Sequence, residues 1–218
     1  MKLISVNTEP VRYSHRVTEH AVTALADVKR QAVIDHVLAA ARHLVLANGL
    51  DVTMDQLAEA CGVSRSTLFR HFTSREGLLA AAFDAGMTNY REGLPRYDGR
   101  DLHVWLRATC VAAHRMNSTI GPGFYELASR PDLPVDLVAV EGRRRAEFGA
   151  ATADIADTLW AGSGGRGRTP RALINVVSTH LSPFFTAAAT IDTNQSWETS
   201  ADLAYAAIAA AIARDAPG

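Results

Sequence analysis

From Lys29 onward the apolar residues of this chain recur at spacings of three and four. Val33, Val37, Ala41 and Leu44, flanked by Ile34, Leu38 and Val45, form one broad stripe, which predicts a helix with one face in a core. Asn48-Gly49 supplies its stop, because glycine takes the left-handed conformation that closes a helix. Residues 1–28 lack a sustained period and read as an arm, helical in part from about His20. Thr53-Met54-Asp55-Gln56 has the form of a capping box, with Met54, Leu57, Ala58 and Cys61 on one face of the helix it opens. Gly62 then allows a tight turn, and Ser64 is the N-cap of a second short helix buried through Leu68 and Phe72. Thr73-Ser74-Arg75-Glu76 reads as a second capping box, opening a helix through Leu78, Leu79, Phe83 and Met87 to about Tyr90.

The segment "GLPRYDG" at 93–99 interrupts the period and marks a domain boundary. Beyond it the spacing is again helical: from Asp98 or Asp101 as cap through Trp105, Cys110 and Met116; one short helix within "IGPGFYELASRPDLP"; a long one over 135–160; one over 170–190, with Thr169 as N-cap and Pro170 at its first position; and an alanine-rich one over 196–214. Strand signals are weak. The expected fold is all-α, with about nine helices: an arm at 1–28, a three-helix domain at 29–92 and a larger helical domain at 93–218.

Charge narrows the function. With 22 Lys and Arg against 23 Asp and Glu, the chain has a net charge of −1, so it does not coat nucleic acid through bulk charge; any such binding needs a local patch. "GVSRSTLFRHFTSREGLL" at 62–79 offers one, with Arg65, Arg70 and Arg75 at five-residue intervals and no acid before Glu76. No segment is apolar for long enough to span a bilayer, and the first residues lack the features of a signal peptide, which points to the cytoplasm. Cys61 and Cys110 show no C-x-x-C spacing and read as structural thiols.

The common catalytic motifs are absent. "GSGGRG" at 162–167 fits G-x-G-x-x-G by letter, but a helix precedes it where a dinucleotide site needs a strand. His103 and His114, with Glu126 or His180 elsewhere, form no close pair, and the histidines read as core or surface groups. "GRRRAEF" at 142–148 reads as a solvated face. No catalytic residue, metal or cofactor is expected.

Two short helices joined at Gly62 describe a helix-turn-helix: Ala58 is small where the helices approach, and Val63 and Leu68 close the core between them. In such a unit the start of the second helix faces base edges in the major groove, which makes Arg65, Ser66 and Thr67 the sequence readers. Thr53 and Arg75 stand at helix N-termini, where free amides and the helix dipole favour a phosphate. Arg70 is a further exposed cation.

The stretch "VTMDQLAEACGVSRSTLFRHFTSREGLLAAAF" resembles the DNA-binding region of the TetR family of bacterial transcription regulators, through Thr53, Ala58, Gly62-Val63-Ser64, Thr67-Leu68-Phe69, Phe72, Arg75, Glu76 and Leu78. The resemblance covers about residues 30–84. It implies that Phe69 and His71 occupy positions that touch the DNA backbone; Phe69 has no hydroxyl, which leaves it packing against sugar. It also implies a ligand cavity in the larger domain, for which Trp105, His114, Phe124, Tyr125, Phe148 and Phe184 are the candidate lining residues. The expected partners are a double-stranded DNA operator, a small-molecule effector and a second copy of the chain, paired through the helices at 170–190 and 196–214 in a four-helix bundle. The expected function is a ligand-responsive regulator, a repressor released from a palindromic operator by its effector. A helical enzyme and a protein-binding adaptor that uses the arginine face are the alternatives.

Overall fold

The computed structural model describes residues 15–86 and 90–215, with side chains from Asp27. It is helical throughout, with no strand among the described residues. Among the described residues ten α-helices occur in order, with one five-residue π-helical turn at Ala188–Asp192.

The first helix, α1 (His15–Asn48), begins earlier than the apolar stripe requires, so part of the expected arm is helical; residues 1–14 lie outside the described residues. It ends as its last two residues predict. The Asn48 side chain donates through Nδ2 to the carbonyl of Leu44, and Gly49, at φ +92°, donates its N–H to the carbonyl of Val45. Next comes α2 (Met54–Cys61), opened by a complete capping box: the amide of Gln56 donates to Thr53 Oγ1 at 3.2 Å, and the amide of Thr53 to Gln56 Oε1 at 2.7 Å. Met54, Leu57, Ala58 and Cys61 are all buried. Gly62, at φ +65°, turns the chain into α3 (Arg65–His71), and Ser64 Oγ accepts the amide of Thr67. Leu68 is buried on α3, whereas Phe72 is an extended, half-buried residue beyond the helix end.

The second expected box is different. In α4 (Arg75–Gly86) the cap is Ser74, whose hydroxyl accepts the amide of Gly77, and Glu76 pairs with Arg75 instead of reaching back to Thr73. A guanidinium one residue away outcompetes a single backbone amide for a carboxylate. Gly86 ends α4, Tyr90 stands in a turn, and the intervening positions, including Met87, lie outside the described residues.

The larger helical C-terminal region follows with α5 (Leu102–Asn117), capped by Asp101, which accepts the amides of His103 and Val104, while Asp98 accepts that of Arg100. The short α6 (Pro122–Ser129) and long α7 (Val135–Gly162) come next, then α8 (Arg171–His180), α9 (Pro183–Ala187) and α10 (Trp197–Asp215). Two expectations fail here. Thr169 does not cap α8: its hydroxyl is bonded to Asp157 of α7, which pins the loop to that helix. The single helix expected over 170–190 is divided, because Pro183 has no amide to continue it and Ser182 caps a new start by accepting the amide of Phe185.

One buried cluster joins α5, α7, α8 and α10 through Trp105, Leu106, Ile155, Leu159, Leu173, Val177 and Ile208. The other notable packing is backbone on backbone. A Cβ on Gly121 or Gly123 would stand 2.1 Å from the carbonyl oxygen of Leu46 or Val45, so the start of α6 lies directly on the last turn of α1. Gly142, on the exposed side of α7, has nothing near it.

Gly123→Ala is therefore expected to cost about 1–3 kcal/mol through this overlap. Gly142→Ala is expected to gain about 0.5–1 kcal/mol from helix propensity. Equal effects of the two in chemical denaturation would refute the close approach.

Candidate nucleic-acid interface

The exposed face of α3 carries Arg65, Ser66, Phe69 and Arg70, with Thr67 and His71 half-buried beside them. The hydroxyls of Ser66 and Thr67 lie 2.8 and 2.9 Å from Ser64 Oγ, so the cap and two of the expected readers form one hydroxyl cluster at the helix start. Phe69 is 45% exposed, an unusual place for a large apolar ring. Arg70 has no carboxylate partner among the described residues.

Arg65 does have one. Its Nη1 lies 3.2 and 3.3 Å from the two carboxylate oxygens of Asp55, and its guanidinium sits 5.5 Å from the ring centroid of Phe69. The partner comes from the first turn of α2, ten positions back, so a scan for neighbouring acids along 62–76 misses it. Both groups are more than half exposed, at 56% and 74%, so the pair contributes less than about 1 kcal/mol and gives way readily to another anion. Until then it holds the guanidinium in one orientation.

Arg75 is placed otherwise than a phosphate contact requires. Its Nη1 donates to the carbonyls of Leu50 and Val52 at 2.8 and 2.9 Å, and its Nε to Glu76. Its charge is spent on the α1–α2 turn. Thr53 is exposed, with its hydroxyl engaged in the cap.

A cavity of about 500 Å³ lies between the end of α1 and α4, α5, α6 and α7. Phe83, Tyr90, Phe124, Phe148, Leu127 and Met116 form its apolar wall. Of the six expected lining residues, Phe124 and Phe148 are here. Tyr125 borders a smaller cavity of about 330 Å³ and stacks edge-on with Phe184, which is 46% exposed. Trp105 belongs to the buried cluster, its indole N–H donated to the carbonyl of Pro95. His114 is fully buried, its Nδ1 2.8 Å from Thr186 Oγ1 and its Nε2 without a hydrogen-bond partner among the described residues. Aromatic side chains at helical spacing look alike in the sequence whether they face a cavity or a core. Tyr90, Leu127 and Asn117 were missed because their place on the wall depends on how the helices cross.

Residues 37–82 match the family model for bacterial regulatory proteins of the tetR family. This match places a tetR-type DNA-binding domain in that stretch of the chain. A solved structure from Rhodococcus sp., ascribed to a TetR-family transcriptional regulator, superposes with a TM-score of 0.63 at 19% identity, over 83% of this chain and 99% of that one. Another, from Pseudomonas aeruginosa PAO1 and ascribed to a transcriptional regulator, gives 0.60 at 13% identity, over 86% and 92%. At these identities the likeness shows a shared fold over most of the chain. No curated protein sequence matches the chain closely.

One helix, α6, touches both the cavity and the turn that leads into α2. Phe124 and Leu127 of α6 line the cavity, and Glu126 between them accepts the amide of Leu50 through Oε2 at 2.7 Å. Just beyond α6, Arg130 Nη1 donates to Asp51 at 2.9 Å. The turn leading into α2 is thus held by α6 and by Arg75 together. On α7, Arg143 pairs with Asp84 of α4, and Arg144 and Arg145 share the buried carboxylate of Glu141. Burial alone would raise the Glu141 pKa, but the two arginines hold it below its ordinary value. No single described helix is long and apolar enough to cross a membrane.

Two predictions test these placements. Arg75→Ala is expected to lower folding stability by about 1.5–3 kcal/mol, since two buried carbonyls lose a charged donor; unchanged stability would return Arg75 to a purely phosphate-binding role. The second concerns pH. Burial lowers the His114 pKa from 6.5 to about 4, so the unfolded chain binds the extra proton first as pH falls. The stability tied to neutral His114 is complete above pH 6.5 and is lost down to about pH 4, about 3 kcal/mol in all. Stability curves of the wild type and His114→Phe should converge at low pH, and parallel curves would refute the assignment.

Proposed function

We propose that this DNA-binding regulator is a ligand-responsive repressor, acting in the cytoplasm as a homodimer on a palindromic operator. The observation that carries the reading is the double role of α6, whose Phe124 and Leu127 face the cavity while Glu126 holds the turn from which α2 and α3 start. A ligand that displaces α6 reorients the helix-turn-helix through the Leu50 amide, and two recognition helices matched to successive major grooves about 34–36 Å apart lose that match.

In this reading Arg65 leaves Asp55 for a guanine, Ser66 and Thr67 read adjacent base edges, and Phe69 and His71 lie along the backbone. Thr53 meets phosphate through the amides of the α2 start, while Arg75 supports the turn. For pairing, α10 offers an exposed stripe of Leu203, Ala206, Ala210 and Ala213, small enough for a second helix to approach closely. Ile208 and Ala211 already belong to the subunit's own core, and the divided helix over 170–190 leaves α8 as the second pairing element.

The test is selection of duplexes from a random pool by the purified protein. A two-fold symmetric consensus is expected, and Arg65→Ala should reduce discrimination at one base pair per half-site by about 1–3 kcal/mol while leaving nonspecific binding nearly unchanged. Leu203→Glu should shift the protein to monomers in sedimentation. Absence of any salt-dependent retardation of duplex DNA would favour the adaptor reading instead.

A further inference from the structure

Three charged residues stand on the wall of the 500 Å³ cavity: Arg42, Arg144 and Glu147. Arg144 is satisfied, bonded through Nε and Nη2 to both oxygens of Glu141 at 2.6 and 2.8 Å and lying 4.9 Å from the ring centroid of Phe124. Arg42 is in a different state. Among the described residues no carboxylate pairs with it, and none of residues 87–89 is acidic.

Its place is nevertheless defined. A Cβ on Gly86 would stand 1.9 Å from Arg42 Nε and 2.4 Å from Cζ, so the guanidinium lies close against the last turn of α4, in space left by a missing side chain. A planar cation has been fitted beside a wall of Phe83, Tyr90, Phe124 and Phe148 and left without an anion. Glu147, the acid on this wall, is exposed to water, and an exposed carboxylate contributes little to holding a cation. Counting the local groups, Arg42, Arg144 and Arg145 exceed Glu141 and Glu147 by one positive charge.

Taking the effector reading above as its base, we propose that the ligand is an aromatic organic anion, its ring system against these aromatic side chains and its carboxylate or sulfonate paired with the guanidinium of Arg42. The planar fork of arginine suits such a group and binds it through two parallel hydrogen bonds.

The test uses two fluorescent probes with the same ring skeleton, 8-anilino-1-naphthalenesulfonate and neutral N-phenyl-1-naphthylamine, and the cationic dye thioflavin T. Wild-type protein should bind the sulfonate at one site per chain and more tightly than the other two. Arg42→Ala should weaken the sulfonate by about tenfold or more and leave the neutral probe within about twofold; high salt should reproduce the selective loss. Thr119→Trp, at an exposed lining position, should exclude all three by filling the cavity. Equal binding of sulfonate and neutral probe, unchanged by Arg42→Ala but blocked by Thr119→Trp, would overturn the anion assignment and leave the effector cavity standing. Preferred binding of thioflavin T, lost in Glu147→Gln, would replace it with a cationic ligand. Binding of every probe unaffected by Thr119→Trp would remove the cavity as a ligand site and the effector reading with it.

Discussion

The backbone of Leu50 is the point on which the turn between α1 and α2 depends. Its amide is donated to Glu126 of α6, 76 positions later, and its carbonyl accepts from Arg75 at the start of α4, 25 positions later. Leu50 is 2% exposed, so neither polar group has water to fall back on, and losing either partner carries the full cost of an unsatisfied buried group. A connection between helices is ordinarily the most adaptable part of a fold. Here charged side chains from two separate helices determine its conformation, and with it the direction in which α2 leaves.

That constraint gives the DNA-facing surface its character. The capping box at Thr53, the left-handed Gly62 and the Ser64 cap are local devices that act within a few residues. Each makes a turn definite, but none orients the unit as a whole. Orientation enters through Arg75, Glu126 and Arg130, all attached to the same short turn. The pair formed by Arg65 and Asp55 belongs to the same economy: it orders an exposed guanidinium at the start of α3 without binding it tightly, since both groups stand in water.

The cavity shows the same logic from the other end. Its wall draws on α1, α4, α5, α6 and α7, so its shape depends on how these five helices cross. Glycines make this closeness available: Gly121 and Gly123 bring α6 onto α1, and Gly86 gives Arg42 its place on α4. At these three positions the absent Cβ serves close approach between elements and has nothing to do with turns.

Much of this was legible in the sequence. Short-range chemistry marked the helices, the box at Thr53, the stop at Gly49, the turn at Gly62 and the residues displayed on α3, because capping and periodicity depend on neighbours three or four positions away. The same reasoning failed where a distant group competed. Thr169 went to Asp157 in place of its own helix, Glu76 went to Arg75, Trp105 and His114 went to the core, and Pro183 divided a helix whose apolar spacing ran on unbroken. The sequence by itself determined an all-helical chain with a helix-turn-helix of TetR type, since those properties follow from local spacing. Only the tertiary structure decided which charges meet across the fold, which aromatic residues face a cavity, and that Leu50 links them, because hydrogen bonds between residues 76 positions apart leave no periodic trace in the chain.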